Sequence, residues 1–93
     1  MGSQIPMEES RHRAWLEFAV ACKCFWDQCD FQEELIDACG GNEDIAWAVY
    51  FHHAASSLEW VDGKVPALGR YCARDLIRRG RGDKVRECLW RTP

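Results

Sequence analysis

The chain has 93 residues, 47% of them hydrophobic, with five Trp, four Phe and two Tyr, and a formal net charge of −3 at pH 7. This length bounds it to one domain, and so many large apolar side chains offset the ordering entropy of a small fold, which excludes a disordered chain. No apolar run approaches the ~20 residues needed to cross a bilayer, and no basic stretch followed by an apolar one marks a secretory leader, so a soluble cytoplasmic protein is expected.

Residues 1–6, beginning Met1-Gly2-Ser3, read as a tag or a disordered start, and 7–93 as one helical domain. A first helix is predicted from about Glu8 to Gln28, with Pro6 tolerable in its first turn and Glu8 and Glu9 at its positive end. Its stripe is Trp15, Phe18, Ala19, Cys22, Phe25, Trp26 and Cys29, the i, i+3, i+4 spacing of one buried face. Asp30-Phe31-Gln32-Glu33 reads as a capping box that opens a short second helix, with Phe31, Leu35, Ile36 and Cys39 inward. Gly40-Gly41 ends it, because glycine alone enters the left-handed conformation without steric cost.

Asn42 is the expected cap of a long central helix. Trp47, Tyr50, Phe51, Ala54, Leu58 and Val61 form its stripe from Ile45 to Val61, flanked by Ala48, His52 and Ala55. Asp62-Gly63 reads as a turn and Pro66 as the first position of a fourth helix. Leu68, Tyr71, Cys72, Leu76 and Ile77 make the core of that helix, and Arg78, Arg79 and Gly80 close it. Asp83 is the predicted cap of a last helix, with Val85, Cys88 and Leu89 inward and Trp90 near its end. No strand pattern occurs. The expected fold is therefore all-α, a compact antiparallel bundle of five to six helices joined by short turns.

Charge divides at Gly63. Residues 1–63 carry three basic and twelve acidic side chains, a balance of −9, and the remaining thirty carry nine basic and three acidic, a balance of +6. Arg70, Arg74, Arg78 and Arg81 follow helical spacing and predict an arginine ridge along the fourth helix, with Arg79 beside it. Glu33, Glu34 and Asp37 form a complementary acidic patch. Arg makes bidentate contacts to carboxylates, so the ridge of one copy can meet the acidic patch of another in a heterologous contact. The plain alternative is that both are solvated faces, since an exposed ion pair contributes only ~0–1 kcal/mol.

The stretch from Val65 to Leu89 (VPALGRYCARDLIRRGRGDKVRECL) resembles the end of a death-fold domain, most of all the bacterial effector-associated domains, and caspase-recruitment domains end similarly. Helix, Arg-Arg-Gly-Arg corner and short amphipathic helix carry the likeness, with a looser match at Phe31 to Cys39. The resemblance implies an adaptor that recruits by contact between like domains, in intracellular defence signalling, with no chemistry of its own.

Six cysteines invite a disulfide framework or a metal site, but most fall at buried or boundary helical positions, where free Cys packs as a small hydrophobe. Zinc held by His12, Cys22, Cys24, Cys29 and Cys39 is disfavoured. In a continuous helix Cys22 and Cys24 point ~200° apart and Cys22 and Cys29 stand ~10.5 Å apart along the axis. His52 and His53 beside Ser56 and Ser57 give no nucleophile, base and orienting group together. The glycines at 40, 41, 80 and 82 lack phosphate-loop spacing. No catalytic, cofactor or metal residue is assigned, and no small-molecule substrate is expected. The expected function is a non-catalytic, protein-binding adaptor module that assembles with itself or a similar domain through the acidic and arginine-rich faces. Two alternatives are a small mobile-element or phage-type inhibitor that blocks a partner through the acidic surface, and a nucleic-acid binder that uses the basic end. The acidic remainder and a pI near 5.5 oppose the nucleic-acid reading.

Overall fold

Residues 9–92 are described by the computed structural model; the tag-like start and the predicted first helical residue, Glu8, lie outside them. Trp15, Ala19 and Cys22 recur at helical spacing, and they are the buried line of α1 (Glu9–Cys22). The predicted continuation to Gln28 is a 3-10 turn (Lys23–Gln28) instead. Three residues per turn align Trp26 with Cys29, so both are buried, and Phe25 is turned outward at 48% exposure to stack on Phe51.

Helix α2 (Gln32–Ala38) starts at Phe31, whose side chain cannot cap, and not at the expected Asp30 capping box. Gln32 is drawn away, its amide donating to the Trp26 carbonyl at 2.8 Å. Its end follows the expectation. Gly40 and Gly41 take φ of +66° and +83°, and their amides return to Asp37 and Ile36 in a Schellman pair of bonds.

The predicted long central helix is two helices. α3 (Glu43–His53) stops where Ala54 adopts φ +46°, a 3-10 turn follows (Ala54–Ser56), and α4 (Ser57–Asp62) resumes. Ser57 is fully buried at the break and its hydroxyl donates to the Ala54 carbonyl at 2.6 Å. α3 is central nonetheless, packed against α1, α2, α4 and α6. Because neighbours approach from several sides, its small and aliphatic residues Ile45, Ala46, Ala48 and Val49 are the most buried, while Trp47 and Tyr50 are half-buried and Phe51 is 40% exposed.

The predicted fourth helix also breaks. Pro66–Leu68 form a single 3-10 turn, Gly69 and Arg70 both take positive φ, and the Val65 amide donates to the Tyr71 carbonyl beside an isolated Lys64–Cys72 bridge. Helix α5 is only Ala73–Arg78, its N-terminus capped by the Cys72 sulfur, which accepts from the Asp75 amide at 3.4 Å. Leu68 and Leu76 are core as expected, but Tyr71 is 46% exposed. Gly80 closes α5 with a second Schellman pair, and α6 (Gly82–Arg91) follows at once. Arg81, not Asp83, occupies the N-cap position. The product is an all-α bundle with one continuous core, and its radius of gyration, 12.6 Å, is close to the ~12 Å of a compact chain of this length.

Candidate functional site

The single arginine ridge does not form, because its residues fall on three different pieces of chain. Arg70 sits in the left-handed turn before α5, at φ +73°. Arg74 turns back on α4, donating from Nε and Nη2 to the two oxygens of Asp62 at 2.5 and 3.3 Å, and this bond holds its guanidinium above the usual pKa. Arg78 is exposed, 3.9 Å from Asp75 one turn earlier. Arg79 lies over the Tyr71 ring at 5.4 Å, and Arg81 is exposed at the start of α6.

Arg86 is withdrawn from the basic end altogether. Its guanidinium donates to Asp44 at 2.7 Å, to Asp83 at 2.8 Å and to Asn42 at 3.3 Å, and the Trp15 indole donates to the same Asp44 carboxylate at 2.7 Å. α1, α3 and α6 thus meet at one charged knot, with Asp44 and Arg86 side chains 13% and 14% exposed. Burial alone pushes the Asp44 pKa up, but the bonds from Arg86 and Trp15 and the Arg86 charge outweigh it and leave the carboxylate below its ordinary range. Burial likewise opposes the Arg86 charge, and its two aspartates more than restore it. Sequence reading missed this knot, since its partners lie 29 and 42 positions apart. One signal was available: a Trp in a buried stripe requires an acceptor for its N–H.

His52, His53 and Ser57 each have a partner within the fold. His52 Nε2 is 3.0 Å from the Leu89 carbonyl, with its ring against Phe51, and Ser57 is occupied by main-chain carbonyls. His53 stacks on Trp60 at 4.8 Å, where burial, then the neighbouring His52, lower its pKa. All six cysteines are free thiols. Burial pushes Cys22 up to about 11 and Cys39 up to about 12, which disfavours the thiolate at both. The break at Lys23 does not gather ligands: among the described residues no three His, Cys, Asp or Glu side chains come together as a metal site.

Two charged surfaces remain. On α2 Glu33, Glu34 and Asp37 are exposed, with no ion-pair partner among the described residues. Arg81 at the N-cap of α6 and Lys84, Cys88 and Arg91 along it follow i, i+3, i+7, i+10 spacing and, with Tyr71, line a groove of about 610 Å³. This is the basic ridge of the molecule, one helix later than the sequence predicts. Neither a protein-family model, nor a curated protein, nor a solved structure matches the chain.

Proposed function

We propose that the chain is a non-catalytic protein-interaction module, an adaptor that assembles with a second copy or a similar domain through its acidic and arginine-rich faces. The observation that carries this reading is how the charges divide. Asp44, Asp62 and Asp83 are paired with Arg86 and Arg74 of the same chain, whereas among the described residues the exposed Glu33, Glu34 and Asp37 on α2 and the exposed Arg70, Arg79 and Arg81 on either side of α5 have no ion-pair partner. Opposite unpaired faces on one chain are complementary head to tail, which is the arrangement that propagates. The likeness of residues 65–89 to death-fold domains supports an adaptor role in cytoplasmic defence signalling. Among the described residues no helix is long and apolar enough to cross a membrane.

Light scattering over a range of protein concentrations, at low and high salt, tests the reading. Self-association at low salt is expected, lost on adding salt and in either Glu33→Lys/Glu34→Lys or Arg79→Glu/Arg81→Glu. Mixing the two variants leaves one good face on each, so the mixture should stop at a dimer. Arg74→Glu is the wrong probe, because it breaks an intramolecular pair. A monomer under every condition sinks homotypic assembly.

A further inference from the structure

The groove between the 66–71 segment and α6 has a floor of another kind from the charged faces. Its most buried lining residues, Leu68 and Leu76, form the floor, and half-buried Cys88 lines it too. Exposed Tyr71 lines it as well, with the Arg79 guanidinium 5.4 Å from its ring centroid. Arg81, Lys84 and Arg91 rim the opening against a single carboxylate, Glu87, which is itself 3.6 Å from Arg11. None of the three cations has an ion-pair partner among the described residues.

From this we infer that the groove binds an acidic peptide segment of a partner protein, with one apolar side chain on the Leu68–Leu76 floor and carboxylates on the α6 rim. Lys84 and Arg91 are two turns apart, ~10.5 Å along the helix. In an extended segment, carboxylates four residues apart share one face with the residue midway between them and span ~13 Å, within reach of the long Lys84 and Arg91 side chains on either side of an anchor. The apolar anchor and Tyr71 supply affinity, and the cations select an anionic partner and speed its approach. A nucleic-acid strand fits less well, because a molecule of net charge −3 with an unpaired acidic helix repels a polyanion that extends beyond the groove. The inference rests on the reading of the chain as a protein-interaction module, but not on its assembling with itself.

Panning a library of random short peptides against the intact protein tests it, followed by fluorescence anisotropy with the selected peptides. Selected sequences should carry carboxylates on both sides of one Leu, Ile or Phe. Affinity should fall roughly tenfold or more in Lys84→Glu/Arg91→Glu, and again in Ala67→Trp, which fills the groove from an exposed position. Replacing the apolar residue of the peptide by Ser should weaken it similarly. Unchanged circular dichroism of the variants separates lost binding from lost folding. Selection of peptides without acidic excess, binding indifferent to both groove variants, or tighter binding of a single-stranded DNA oligomer overturns the inference. Arg81 borders both the groove and the basic face, so Glu33→Lys/Glu34→Lys on α2, outside the groove lining, separates the two readings: it should abolish self-association and leave peptide binding unchanged.

Discussion

Asp44 and Arg86 belong by sequence to opposite charged halves of the chain, yet they share one knot that ties three helices. Removing one member of a buried pair leaves the other charged without compensation, which costs about 3–5 kcal/mol. Arg86→Met is therefore expected to lower stability by that order in urea unfolding. Asp44→Leu/Arg86→Met should cost less than the two single changes added, because it removes both desolvation penalties together. The pH dependence has a definite sign. A carboxylate whose folded pKa lies below its unfolded value of about 3.9 contributes stability that is present above that value and lost as pH falls through the folded one. Thermal unfolding followed downward from about pH 5 should show the wild type losing more stability than Asp44→Asn.

Helix ends differ in how far they can be read from the chain. Those at Gly40-Gly41 and Gly80 were legible, because a Schellman end depends on a left-handed residue and on bonds made within a few positions. Gly40→Ala is expected to cost about 2 kcal/mol or more, since it combines left-handed strain with a methyl 2.7 Å from Ile77 Cγ2. Gly41→Ala, with nothing within 4 Å of the new methyl, should cost only the conformational part, about 1 kcal/mol, and chemical denaturation of the two variants side by side checks the difference. The break at Ala54 was not legible. No local residue demands it, and it persists because Ser57 is buried and bonded to the Ala54 carbonyl. Positive φ at a residue with a Cβ costs about 1–3 kcal/mol, against a smaller entropic penalty for glycine, so Ala54→Gly should raise the unfolding free energy measured in urea by a net of about 1 kcal/mol.

At the scale of the molecule, the imbalance of −9 and +6 is a property of the chain, and what it can do depends on which charges folding consumes. Exposed pairs are screened over ~10 Å at ordinary salt while buried ones are not, so salt should dissolve an assembly held by the faces of Glu33, Glu34, Arg79 and Arg81 before it unfolds the subunit. A salt titration that follows mass and circular dichroism together checks this, with mass expected to fall first. Hydrophobic periodicity, glycine stops and composition by themselves determined an all-α chain, its acidic and basic halves and most of its core, because each depends on neighbours within a turn or two. Only the tertiary structure decided where the helices break, that Arg86 is buried and Arg74 pairs with Asp62 at the surface, and that Arg81, Lys84 and Arg91 border an apolar groove. Those outcomes depend on side chains far apart in sequence competing for the same carboxylates and the same buried space, a competition that has no local signature.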